Sequence, residues 1–208
     1  MDTKRTRQLS FPPDIEISSH IQPADVRSYT LDEGIGRFPH YRSMVTDRGT
    51  LEKLAASPDA NLVLAISHTG HILGYTGYSY PDPIEGWDDN TDGLCFELCA
   101  IEVSRCWRRR GIARAMIDAL VRDPLIEKKI LFLTAYAWHF DVEQTRLTEN
   151  GYRNMLVRLF KPFGFDVYPT RRTEITMFPA NMIMARAGEK VMPKQRERFQ
   201  AMLYPSDR

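Results

Sequence analysis
Cysteine is scarce in this chain: three residues, Cys95, Cys99 and Cys106, among 208. So small and odd a number, with no secretory leader, argues against a disulfide framework. No cysteine or histidine pair has a familiar zinc spacing, so inert thiols and no metal are expected. No apolar run nears the roughly 20 residues that cross a bilayer. The N-terminal stretch "MDTKRTRQLSFPPD" lacks the apolar core of a signal peptide. Neither sign of charge dominates: 28 Lys and Arg stand against 27 Asp and Glu. A net charge of +1 gives no bias toward nucleic acid or membrane. Internal repeats and low-complexity blocks are missing too. These absences lead to the expectation of a cytoplasmic, globular protein with neither nucleic acid nor membrane as partner. They assign no oligomeric state.

The patterning that is present reads as alternating strands and helices. "DIEISSHI" alternates as a strand, and "PADVRSYT" opens with a proline suited to a first helical turn. A second helix is predicted from about Tyr41 to Ala56. "NLVLAISH" and "ILGYTGYSY" form a hairpin across "TGH". "LCFELCAIEV" is apolar on both faces and reads as a central strand. A third helix runs from near Arg110 to Arg122, and "KKILFLTAYAW" is another buried strand. One long helix is predicted over Val142 to Phe160. "FDVYPT" and "NMIMARAG" are final strands, and "PKQRERFQAML" is a terminal helix. The order implies an α/β chain of the α+β type, with a mixed sheet covered by helices on both faces. Residues 1–13 read as a flexible arm, 14–190 as the main domain and 191–208 as a C-terminal helical extension.

Local charge breaks the global balance. In "EVSRCWRRRGIARAMIDAL", residues 102–120, three arginines meet a glycine just before a helix whose start already carries partial positive charge. Gly111 lets backbone pass close to a bulky anion, and the following amides can point at phosphate oxygens. Arg108, Arg109, Arg110 and Arg114 can add charge-assisted bonds. The pattern Arg108-x-x-Gly111-x-Ala113 fits neither the dinucleotide fingerprint nor the Walker A loop. On its own it is either a pyrophosphate cradle or a solvated basic helix start.

The strand "FELCAIEV", this turn and the helix after it resemble motif A of the GNAT N-acetyltransferases, whose turn holds acetyl-CoA. "FKPFGFDVY" resembles that family's closing segment. "YSYPDPIEGW", "ELCAIEVS", "AYAWHFD" and "PANMIMARAG" together resemble the acetoin-utilisation acetyltransferases, over about residues 60 to 190. The resemblance implies a GNAT fold with a mostly antiparallel sheet, and acetyl-CoA as co-substrate. It implies contacts from Ile101, Val103, Arg108, Arg109, Arg110, Gly111, Ile112, Ala113 and Arg114. It also implies a protein substrate, the active-site lysine of acetyl-CoA synthetase, which acetylation switches off.

Acetyl transfer to lysine needs a neutral amine, and neutralising one at pH 7 costs about 4.6 kcal/mol. A positioned carboxylate can take the proton. Glu97 lies eleven residues before Arg108, the offset at which protein-lysine members of the family carry a catalytic glutamate. Strict alternation puts Glu102 on the opposite face of the strand, where a structural role is expected. The family's usual tyrosine acid position is Phe160 here, so the acid stays open among Tyr136, His139 and solvent, with Tyr152 set too far along the helix. The acidic loop around Asp82, Glu85, Asp88, Asp89 and Asp92, with Trp87 and Trp138, is either a solvated loop or a rim that steers a lysine-bearing partner. A small-amine acetyltransferase and a non-catalytic CoA-binding regulator are the competing functions.

Overall fold
The computed structural model describes residues 14–82, 87 and 92–204. The proposed arm at 1–13 lies outside them, as do Glu85, Asp88 and Asp89 of the acidic loop. Ten strands and seven α-helices are described. The strands are β1 (Ile15–Ser18), β2 (Thr30–Leu31), β3 (Arg37–Phe38), β4 (Tyr41–Arg42), β5 (Asn61–Ser67), β6 (His71–Ser79), β7 (Cys95–Val103), β8 (Ile130–Ala135), β9 (Asp166–Tyr168) and β10 (Met182–Ala187). The helices are α1 (Pro23–Ser28), α2 (Arg48–Ala56), α3 (Ile112–Val121), α4 (Val142–Thr145), α5 (Glu149–Phe160), α6 (Thr173–Thr176) and α7 (Pro193–Met202). The main sheet runs β1-β5-β6-β7-β8-β10-β9, with β2 joined to β6. Only β7–β8 and β2–β6 are parallel, so the sheet is mixed and mostly antiparallel, as the patterning implied.

The two faces of the sheet are packed differently. One face carries a continuous core: Phe96, Leu98 and Val103 of β7, Leu131 and Leu133 of β8, and Met182 and Met184 of β10. Helix α3 seats Ile112, Met116, Ile117 and Leu120 on it. Each such fully buried aliphatic side chain contributes about 1.5–3 kcal/mol. A Cβ at Gly74 would lie 3.1 Å from the Met116 methyl, so the missing side chain lets α3 approach β6. The opposite face carries two smaller clusters. Leu51, Leu62, Leu64 and Tyr75 gather under α1 and α2, while Cys95, Phe132 and Ile183 meet Phe199 and Met202 of α7.

Two predicted helices change shape. The second was placed over Tyr41 to Ala56, but Tyr41–Arg42 pairs with β3 and α2 begins only at Arg48. Asp47 sets that start: its carboxylate accepts from the Thr50 amide at 3.2 Å, as an N-cap does. The long helix over Val142 to Phe160 is broken. Arg146 adopts a left-handed backbone (φ 55°) and Thr148 caps a fresh start by accepting from the Gly151 amide. Periodicity continues across such a break, so the pattern alone reads as one helix.

Pairing along β7 opens the molecule. β7 and β8 pair only at Cys95–Ile130, Phe96–Leu131 and Glu97–Phe132. Beyond Glu97 the strands part, β7 following β6 to Val103 and β8 following β10 to Ala135. The β6–β7 register also shifts, from Gly77–Ala100 to Tyr78–Leu98. That bulge inserts one residue and reverses the alternation beyond it.

Candidate active site
Beyond the parting, the far end of β7 borders a cavity of about 740 Å³. One wall is Ile101 and Val103 of β7 with the turn that follows; the other is Gln144 and Thr145 with Tyr152, Met155, Leu156 and Leu159 of α5. Tyr41 and Glu102 complete the lining. Of the residues expected to hold the co-substrate, Ile101, Val103, Arg108, Arg109, Gly111, Ile112, Ala113 and Arg114 all line this one cavity. Arg110 is exposed instead, its guanidinium 4.8 Å from the Trp107 ring centre.

The turn is shaped for an anion. Arg109 and Gly111 both sit at positive φ, 66° and 82°. A non-glycine residue held there costs about 1–2 kcal/mol and persists only where its surroundings impose it. Such alternation curls successive amides into a concave nest. No side chain caps α3, so its first amides are free to face a ligand. Arg109 and Arg114 stand exposed at the rim. Arg108 is engaged otherwise: its Nε donates to the Val103 carbonyl at 3.0 Å and its Nη1 to Asp141 Oδ2 at 2.6 Å.

The two glutamates of β7 share a face, contrary to strict alternation. Glu97 lies between Phe96 and Leu98, and Glu102 between Ile101 and Val103; those four neighbours belong to the α3 side. Both carboxylates therefore point to the opposite side, because the bulge between them restores their parity. Glu102 is 6% exposed and accepts from Ser43 Oγ at 2.7 Å and Tyr75 Oη at 2.6 Å. Burial pushes its carboxyl above the ordinary value, while bonds from Tyr75 and Ser43 and the Arg108 charge pull the other way. Glu97 is the last residue of β7 paired with β8, is half-buried, and is not among the cavity-lining residues.

The candidate acids separate as well. Phe160 is buried and packs edge-on against Phe165, 5.2 Å between centroids. Tyr152, set aside on helix spacing, lines the cavity and stacks on Phe140. It shares one face of α5 with Met155, Leu156 and Leu159, and that face borders the cavity. Tyr136 stacks on Trp138, near His139. The two tryptophans differ: Trp87 is buried against Phe132, and Trp138 is 57% exposed. Cys95 is buried, Cys99 half-buried and Cys106 exposed, and none of the three is joined in a disulfide among the described residues. Burial lifts the Cys99 thiol to about 11, too high for a ready nucleophile.

A strand, a glycine turn and a helix, beside a fork between two parallel strands, define an acyl-CoA site. Residues 26–141 match the acetyltransferase (GNAT) family. The chain belongs to that family and is an acetyl-CoA-dependent N-acetyltransferase. Within it, the chain is similar to acetoin utilization protein AcuA of Bacillus licheniformis, 30% identical over 188 residues, 90% of this chain and 88% of that protein. AcuA of Bacillus subtilis is 27% identical with the same coverage. The crystal structure of an acetoin utilization protein from Exiguobacterium sibiricum superposes with a TM-score of 0.84 at 29% identity, covering 91% of this chain and 88% of that one. A phosphinothricin acetyltransferase from Sinorhizobium meliloti, solved with acetyl-CoA, shares the fold alone, at a TM-score of 0.53 and 16% identity over 85% and 90% of the two chains. No described helix is long and apolar enough to cross a membrane.

Proposed function
We propose that this acetyltransferase modifies a protein lysine, the active-site lysine of acetyl-CoA synthetase, with Glu97 as general base. The observation that carries the reading is the geometry of β7: its pairing with β8 ends at Glu97, and the anion nest follows the far end of the same strand, beyond Val103. A donor held by its pyrophosphate at residues 109–113 runs its pantetheine arm back along Val103 and Ile101, toward Glu97. The relatives named acetoin utilization proteins support the resemblance on which this acceptor is proposed. An exposed cluster supports a protein acceptor: Trp138, Phe178 and Met177 are 57%, 44% and 65% exposed, and Trp138 touches Phe178 edge-on. A small amine needs no such apolar surface, whereas a protein contact uses one.

The chemistry follows from those placements. The lysine ammonium loses a proton to Glu97, directly or through water. The neutral nitrogen attacks the thioester carbonyl; the new C–N bond forms as the C–S bond breaks. The nitrogen sheds its second proton as the amide forms, and the CoA thiolate takes up that equivalent through solvent or the Tyr152 phenol in the cavity. Purified chain, labelled acetyl-CoA and acetyl-CoA synthetase test the reading. Label should enter one synthetase lysine and synthetase activity should fall in step. Transfer to small amines with none to the protein would reject the acceptor class. Gly111→Trp, folded but unable to bind acetyl-CoA by calorimetry, is the expected result for the phosphate turn; unchanged affinity would remove it.

A further inference from the structure
Asp141 is a buried anion that acetyl transfer does not use. It is 0% exposed and closes the stretch "AYAWHFD" at the N-cap of α4. Two arginines converge on it. Arg105 meets it with both ends, Nε to Oδ2 at 3.0 Å and Nη2 to Oδ1 at 2.8 Å. Arg108 adds Nη1 to Oδ2 at 2.6 Å and reaches back to the Val103 carbonyl. These arginines flank the 3₁₀ turn Arg105–Trp107 that leads into the phosphate nest. Asp141 itself caps α4, the helix that carries Gln144 and Thr145 of the other wall. One carboxylate therefore straps the two walls together at the mouth of the fork. A buried carboxylate facing planar guanidinium forks is among the stiffest polar contacts a protein makes.

We propose that Asp141 is a positioning residue for the phosphate turn, and that Arg108 serves as its strut rather than as a phosphate ligand. The strap fixes where β7 ends, and so where the amides of residues 109–113 point. Direct phosphate contact falls to those amides and to Arg109 and Arg114. The inference rests on the pyrophosphate lying at this turn, and the test separates the two.

Calorimetry compares acetyl-CoA with S-acetylpantetheine, which carries the thioester arm without nucleotide or pyrophosphate. Wild type should bind acetyl-CoA much more tightly; equal affinities would overturn the site placement and the strap with it. In Asp141→Asn, acetyl-CoA should weaken by about 10- to 100-fold, the scale of a lost charge-assisted bond. S-acetylpantetheine should change by less than about threefold. Equal losses for both ligands would mean general damage to the fold and overturn the proposal, as would an unchanged acetyl-CoA affinity. Arg108→Met, at the more exposed end of the strap, should give the same selective loss even if Asp141→Asn does not fold. The double variant should bind no worse than Asp141→Asn alone, since that change already removes the Arg108 connection. Additive losses would make Arg108 a direct phosphate ligand and reject the strut.

Discussion
Glu97 and Glu102 stand five residues apart on one strand and one face, yet their surroundings divide their work. Glu102 is buried and has its oxygens filled by the Ser43 and Tyr75 hydroxyls. Tyr75 also accepts from the Val45 amide, and Ser43 Oγ from the Gly36 amide. The carboxylate thus ties the segment around β3 and β4, including Tyr41 of the cavity, to the central sheet. A group whose lone pairs are already taken has little capacity to collect a substrate proton. Glu97 is half-buried at the point where pairing ends. Glu102 is thereby an anchor of the sheet, while Glu97 stands where β7 leaves β8.

The sharpest break of that comparison is Glu97→Gln. Turnover on a protein lysine should fall by about 10²–10⁴-fold at neutral pH with acetyl-CoA affinity kept. The defect should shrink as pH rises and the lysine deprotonates unaided. A pH–rate profile reads it, and wild-type turnover across neutral pH would end the role assigned to Glu97.

Glu102→Ala should instead cost stability, about 2–4 kcal/mol, because two buried hydroxyls lose their acceptor. Any accompanying loss of turnover should not recover with pH. Denaturant unfolding and the same pH–rate profile decide it; a full recovery at high pH would transfer the base to Glu102. Ser43→Ala is the milder version and should cost about 1 kcal/mol, leaving the Tyr75 bond in place.

The smallest effect is one of pH. Burial raises the Glu102 carboxyl above its ordinary 4.5. A raised carboxyl adds stability that is full below 4.5 and fades as pH climbs through the raised value. Glu102→Gln lacks that term, so its melting temperature should trail wild type most in acid and least at neutral pH. A constant gap across that window would contradict the raised value.

Much of this could be read from residues alone. The apolar strands, the Arg108-x-x-Gly111-x-Ala113 turn and the helix after it form in place because their signals are local: alternation, glycine, and a 3.6-residue stripe over Ile112, Met116 and Leu120. What escaped the sequence depends on pairing. The bulge opposite Gly77 is a property of two strands together, and it alone decides which way Glu97 and Glu102 face. Asp141 looks like any loop aspartate until folding brings it to Arg105 and Arg108, more than thirty positions earlier. Tyr152 lies more than forty positions after Gly111, and only the packing of α5 brings the two to one cavity.

The short run of pairs between β7 and β8 has a mechanical meaning. Three residue pairs join the half-sheet β1-β5-β6-β7 to the half-sheet β8-β10-β9. From Glu97 to Val103 the arm of β7 beyond its β8 pairing, held to β6 alone, is about 20 Å long. A rotation of about 5° at the junction moves the tip of that arm by about 1.7 Å, over half a hydrogen-bond length. The same rotation scarcely displaces Glu97, which sits at the pivot. Leverage therefore separates the two ends of the strand: the turn at residues 109–113 lies where small rotations are magnified, and Glu97 lies where they vanish.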